Sequence, residues 1–130
     1  MGELARTLHL TLPWPPSLNH YWRRVGHRTL ISRAGRQYRE AVWLHIRRQG
    51  VQDRPGRLRV EIDAYPPDRR RRDLDNALKA LLDAMEHGGV YQDDSQIDEL
   101  EIVRCEIIRG GQVCVRITEI DKDAQPTDTA

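Results

Sequence analysis

The sequence predicts an α+β fold, a small mixed sheet with two main helices in the order β-α-β-α-β-β. Apolar and polar residues alternate over residues 7–12 and 57–65, the period-two signature of half-buried strands. Apolar residues recur with helical spacing over 33–49 and 73–87, and a Gly110-Gly111 pair separates two further strand-like runs. At 130 residues the chain is most simply one domain, expected over 1–120, with room for a core that needs no disulfide staples.

Taken in order, Thr7-Leu8-His9-Leu10-Thr11-Leu12 reads as the first strand, with its leucines facing inward and Pro13, Pro15 and Pro16 ending it. A long irregular basic loop is expected from there to Ile31, carrying Asn19, Tyr21, Trp22, Arg23, Arg24 and Arg28. Aromatic rings among arginines suit stacking on bases and gripping phosphates, or else Tyr21 and Trp22 pin the loop to the body. Ser32 can cap a helix over 33–49, with Gly50 as its stop; Tyr38, Ala41, Val42, His45 and Ile46 share one stripe. His45, on that apolar stripe, reads as a core histidine with a hydrogen-bond partner. After a turn at Pro55-Gly56, Leu58, Val60, Ile62 and Ala64 line one face of a strand over 57–65.

The second helix is expected from Asp73 or Leu74 to His87, closed by Gly88-Gly89, with Leu74, Leu78, Leu81, Leu82 and Met85 inward. An acidic loop, Tyr91 to Gln96, follows. The last two strands, 98–108 and 113–120, are expected to form a hairpin about a three-residue loop at 110–112. That register sets Val103, Cys105 and Ile107 against Val113, Val115 and Ile117, with Glu106 opposite Arg116. It also turns Cys105 and Cys114 to opposite faces, so that they cannot bridge, as suits a reducing compartment. Residues 121–130 are polar and unpatterned, and are expected to be a disordered tail.

The longest apolar run is too short for a membrane span, and the N-terminus lacks the layout of a signal peptide, so a cytoplasmic location is expected. Net charge is +1, but it is unevenly divided. Residues 20–72 carry 15 arginines against 5 acidic residues, whereas 73–130 carry 5 basic against 14 acidic. Such halves fit a protein that holds a polyanion with one surface and metal with another, or they neutralise each other in surface ion pairs. Lys79 and Lys122 are the only lysines in an arginine-rich chain, which singles out Lys79 as a place where a compact, titratable ammonium is wanted.

The densest chemistry lies in residues 68–79, where Arg69, Arg70, Arg71 and Arg72 run into Asp73-Leu74-Asp75. Packed cations need an anionic partner, and paired carboxylates are the usual ligands of a hard divalent ion. Plain helix capping explains Asp73 and Asp75 equally well on spacing alone. Lys79, four residues after Asp75, lies one turn along, and Asp93-Asp94 adds a second acidic pair. No phosphate-binding glycine loop, nucleophile elbow or zinc-spaced Cys/His set is present, which removes ATP-driven, serine-hydrolase and zinc-enzyme readings.

Leu12-Pro13-Trp14-Pro15-Pro16-Ser17 with Asn19, Arg70-Arg71-Arg72-Asp73-Leu74-Asp75-Asn76 with Lys79, and Asp93-Asp94-Ser95-Gln96 together resemble the RusA-type Holliday-junction resolvases over nearly the whole body of the chain. The resemblance implies a small homodimeric endonuclease that cuts four-way junction DNA by paired nicks with Mg2+, and no nucleotide cofactor. It implies Asp73, Asp75 and Asp94 as metal ligands and Lys79 as a further catalytic group, with Asp93 a neighbouring acid of less defined role. Arg69 to Arg72 and the 20–31 loop would grip the DNA backbone. Val90-Tyr91-Gln92 departs from the family's more apolar run before the acidic pair. Rival readings are a non-catalytic junction-binding protein and a metal nuclease for flaps or RNA.

Overall fold

A computed structural model describes residues 7–50 and 54–120. The tail at 121–130 lies outside them. The elements are β1 (Thr7–Leu12), α1 (Leu18–Tyr21), β2 (Trp22–Val25), β3 (Arg28–Ile31), α2 (Arg33–Arg48), β4 (Arg57–Tyr65), α3 (Leu74–His87), a 3-10 turn (Asp94–Gln96), β5 (Ile97–Arg104) and β6 (Gln112–Ile120). The fold is α+β: a mixed four-stranded sheet in the order β1-β6-β4-β5, and a separate two-stranded β2-β3 ribbon.

The alternation in β4 does what its period dictates. Leu58, Val60, Ile62 and Ala64 are buried, and they join Leu10 and Leu12 of β1 and Val113, Val115 and Ile117 of β6 in one core. Tyr38, Val42 and Ile46 of α2, and Ala80, Leu81, Ala84 and Met85 of α3, complete it. Ser32 caps α2 as expected, its Oγ accepting from the Gly35 N–H at 2.9 Å. His45 finds its partner too, with Nδ1 2.8 Å from the Ala41 carbonyl oxygen.

The C-terminal hairpin does not form. β5 pairs in parallel with β4, and β6 lies antiparallel between β1 and β4. Val113, Val115 and Ile117 therefore face Leu12, Leu10 and Leu8 on one side and Ala64, Ile62 and Val60 on the other. Arg116 stands opposite His9 and Glu61, not Glu106, and reaches Asp63 at 3.1 Å and Glu61 at 3.6 Å. Burial decides the order: β6 buries Val113, Val115 and Ile117 on its inner face and takes a central place, while β5, with Asp98, Glu99, Leu100 and Glu101 all exposed, suits an edge. β4, α3 and β5 thus form a βαβ unit, the connection that parallel neighbours need. The register that set Cys105 and Cys114 on opposite faces goes with the hairpin. Both are free thiols near the Tyr65 hydroxyl, whose pKa is raised first by the charge of Cys105.

The segment from Pro13 to Ile31 is not an irregular loop. It holds the single turn α1 and the β2-β3 ribbon, in which Trp22 pairs with Ile31 and Val25 with Arg28. Gly26, at φ 63°, makes the ribbon's turn. Gly35 lets this module sit against α2: a Cβ there would collide with the Tyr21 carbonyl and lie 2.8 Å from the Ile31 side chain.

Candidate active site

β4 ends at Tyr65, and an extended stretch carries the chain to Asp73 and the start of α3. Asp68 folds this stretch. Its carboxylate accepts from the Arg70 N–H at 2.9 Å and pairs with Arg72 at 2.8 Å. The Arg72 hydrogen bond, then the Arg70 amide, hold the Asp68 carboxyl below its usual pKa. Arg72 also donates to the Asp68 and Arg70 carbonyls and lies over the Trp14 ring, while Arg104 donates to the Arg72 carbonyl at 2.9 Å. The arginine run is therefore divided: Arg72 braces the turn, whereas Arg69, Arg70 and Arg71 are exposed, and Arg69 and Arg71 have no partner among the described residues.

Asp73 occupies the N-cap of α3 in extended conformation (φ −87°, ψ 136°), yet its side chain makes no cap hydrogen bond. Capping does not account for it. Asp75 follows in the first turn and Lys79 in the second, both exposed. Among the described residues the side chains of Asp73, Asp75 and Lys79 have no hydrogen bond or ion pair. The unpaired N–H groups and partial positive charge at a helix start favour ionised carboxylates there.

The second acidic pair is built differently. Asp93 caps the 3-10 turn, accepting from the Ser95 N–H at 2.9 Å, while the Gln96 side chain accepts from the Gln92 and Asp93 N–H groups. Its other end donates to the Arg54 and Gly56 carbonyls, each at 2.8 Å, and so ties the turn to the body. The Ser95 amide, first of several hydrogen bonds, keeps the Asp93 carboxyl below its usual pKa. Asp94 takes no part in the cap, and its N–H donates to Glu86 at 3.1 Å. Glu86, Asp93 and Asp94 form the one acidic group, among the described residues, whose oxygens come within 4.8 Å of one another. Glu86 lies 11 residues beyond Asp75 on α3, which is about 16 Å of helical rise. The structure thus sets Asp73, Asp75 and Lys79 in the N-terminal part of α3, and groups Asp94 with Asp93 and Glu86 near its C-terminal end.

The residues of α1 and the ribbon divide as well. Tyr21 is fully buried; its hydroxyl donates to Asp83 and accepts from Arg39 at 3.1 Å, and Arg39 pairs with Asp83 at 2.9 Å. Burial, then the Asp83 hydrogen bond, raise the Tyr21 pKa, so this phenol stays neutral. Tyr21 is therefore a pin and offers no face to a base. Trp22, half-buried, packs edge-on to it. Asn19, Arg23, Arg24 and Arg28 are exposed, and the three arginines have no partner among the described residues.

Between the proline-rich turn and the start of α3 lies a cavity of about 290 Å3, lined by Trp14, Pro15, Pro16, Arg72, Asp73 and Asn76 among others. Hard oxygen donors without protein partners at a helix start, beside unpaired arginines, suit a divalent ion and the phosphates it engages.

The profile described as Endodeoxyribonuclease RusA matches residues 13–118. The chain belongs to the RusA family. A crossover junction endodeoxyribonuclease rusA of Enterobacteria phage HK97 is 45% identical over 111 residues, covering 85% of this chain and 92% of its own length. That of Enterobacteria phage 82 is 40% identical over 121 residues, and the RusA of Escherichia coli strain K12 is 39% identical; each comparison covers 90% of this chain and 98% of the relative.

The RusA match spans both ends of α3 and the ribbon. Two supports of the site escaped sequence reasoning. Gln96 could have been found, since Asp93-Asp94-Ser95-Gln96 has capping-box spacing. Arg104, which donates to the carbonyl just before Asp73, carried no local signal, because only the parallel β4-β5 pairing brings it there.

Proposed function

We propose that this chain is a Mg2+-dependent crossover junction endodeoxyribonuclease that resolves Holliday junctions by symmetric paired nicks, acting in the cytoplasm in DNA recombination and repair. The observation that carries this reading is the similarity to enzymes of that name over 85–90% of the chain, at 39–45% identity. The partnerless Asp73, Asp75 and Lys79 support it.

Asp73 and Asp75 would hold the metal, with Asp94 as the third carboxylate. When bound, Mg2+ would polarise the scissile phosphodiester and lower the pKa of an attacking water. Lys79, one turn from Asp75 and free of ion pairs among the described residues, would neutralise charge on the phosphate in the transition state. Arg69, Arg70, Arg71, Arg23, Arg24 and Arg28 would grip flanking phosphates, giving affinity that falls with salt. Asp94 rests with Glu86 and Asp93 in the single chain, so a three-carboxylate site requires the acidic turn and the start of α3 to be brought together. Bound junction and a second copy are the agents that could do so. Two nicks in opposed strands also call for two sites related by a twofold axis, hence a homodimer.

The test is to incubate the purified protein with a synthetic four-way junction, a flapped duplex and a structured RNA, with and without Mg2+. Paired symmetric nicks confined to the junction and dependent on Mg2+ are expected. Binding to the junction without nicks would contradict the enzyme reading, and equal cutting of flaps or RNA would contradict its selectivity.

A further inference from the structure

The turn that carries Asp94 is held by polar bonds more than by burial. Gln92, Asp93, Asp94 and Ser95 are all exposed, and carboxylate oxygens of Glu86, Asp93 and Asp94 stand within 4.8 Å of one another. Like charges at that spacing push the turn away from Glu86. Gln96, half-buried, opposes this push. Its Oε1 accepts from the Gln92 N–H at 2.8 Å and the Asp93 N–H at 3.1 Å, while its Nε2 donates to the Arg54 and Gly56 carbonyls, each at 2.8 Å. A primary amide has two acceptor and two donor positions, and here every one is taken. The amide can sit only one way round, because turning it over would set donors against donors and acceptors against carbonyls.

The two ends of the amide do different work. The oxygen end shapes the turn, and the nitrogen end straps it to the segment that leads into β4. Other ties remain without it: Arg57 donates to the Ser95 carbonyl at 2.6 Å, and the buried Tyr91 donates to the Leu82 carbonyl at 2.8 Å. Loss of the strap therefore leaves the turn attached but free to shift. Asp94 follows the cap residue Asp93 directly, so any shift of the turn moves it. Mg2+ demands near-ideal octahedral geometry from hard oxygen donors, and tolerates such movement poorly.

Resting on the nuclease reading above, with Asp94 as a metal ligand, we propose that Gln96 is a positioning residue that sets the reach of Asp94 and with it the Mg2+ concentration the enzyme needs. Gln96 touches neither metal nor DNA in this role. It acts through the backbone of the turn, as hydrogen-bond partners of metal ligands do.

The experiment compares the full chain with Gln96→Met, which loses every bond of the amide, and Gln96→Glu, which keeps the acceptors for the turn but loses both donors of the strap. Junction cleavage is followed against Mg2+ concentration, and Ca2+ binding to the protein–junction complex is measured by calorimetry, with the junction alone subtracted. Both variants should raise the half-saturating Mg2+ and the Ca2+ dissociation constant by roughly 10- to 100-fold, the usual cost of losing a partner of a metal ligand. Excess Mg2+ should restore the maximal rate, and junction affinity without metal should be unchanged. Gln96→Glu is the sharper variant, since its added negative charge alone would tighten cation binding whereas a broken strap weakens it. Unchanged or tighter cation binding by Gln96→Glu, or a loss of rate that excess Mg2+ does not restore, overturns the positioning role and leaves the nuclease reading standing. A wild type that neither binds Ca2+ nor cuts in Mg2+ overturns that reading as well.

Discussion

Asp75 and Asp83 stand two turns apart on one helix, and their surroundings could hardly differ more. Asp83 receives the Tyr21 hydroxyl and the Arg39 guanidinium and joins α1 and α2 to α3. The Asp75 carboxylate has no hydrogen bond or ion pair among the described residues. The arginines repeat the contrast. Arg39, Arg54, Arg57 and Arg59 reach Asp83, Glu119, Asp98 and Glu99, so part of the basic half does neutralise the acidic half. Arg23, Arg24, Arg28, Arg69 and Arg71 do not. Composition alone allowed a single use for these charges, whereas the fold sorts them into two sets. The paired charges named here connect elements of the fold, and the partnerless ones are those proposed to bind metal and DNA.

This contrast can be broken from either side. Lys79→Ala should slow junction cleavage by roughly 100-fold or more, as expected for loss of a group that stabilises transition-state charge. It should leave junction binding nearly intact and change stability by no more than about 0.5 kcal/mol. Single-turnover rates beside binding isotherms check this, and equal losses of both would reduce Lys79 to a phosphate grip. Asp83→Ala should do the reverse: destabilise by about 1–3 kcal/mol, because Arg39 and the buried Tyr21 hydroxyl lose their acceptor, with cleavage per folded molecule retained. Denaturant unfolding measures the first quantity and active-fraction titration the second.

Smaller effects sharpen the account. Arg71→Ala should weaken binding to all junction sequences and lower the slope of log affinity against log salt by about one, as loss of one phosphate contact requires. An unchanged slope would remove Arg71 from the interface. For Asp93, the cap holds the folded pKa below the unfolded value. Its contribution to the acidic turn is therefore full above the ordinary aspartate range and is lost as pH falls through the lowered folded pKa. Carboxyl NMR titration should place Asp93 below a normal aspartate, and a normal midpoint would mean that the cap to Ser95 is absent in solution.

The local parts of this molecule were legible in the sequence. Strands β1 and β4, both long helices, the Ser32 cap and the His45 partner follow from period and capping, which depend on near neighbours. Pairing of the last strands was not, because proximity in sequence favoured a hairpin and the competing interaction is long-range burial. Val113, Val115 and Ile117 gain more between two apolar strands than beside acidic β5. That acid-rich composition was the signal for an edge. In the site, the Asp73-Asp75-Lys79 spacing was readable because one helix carries it. Tyr21 could not be told from a base-stacking ring, since its burial depends on Asp83, 62 residues away. The division of labour between Arg72 and its neighbours was equally hidden, being set by Asp68, Trp14 and Arg104.

The central claim is that the partnerless carboxylates at the start of α3 perform the chemistry. Its most direct test is the cleavage rate of Asp75→Asn on a four-way junction in Mg2+, measured with its melting temperature and junction affinity. No cutting, with unchanged melting and retained binding, is predicted; cutting at the wild-type rate would contradict the account.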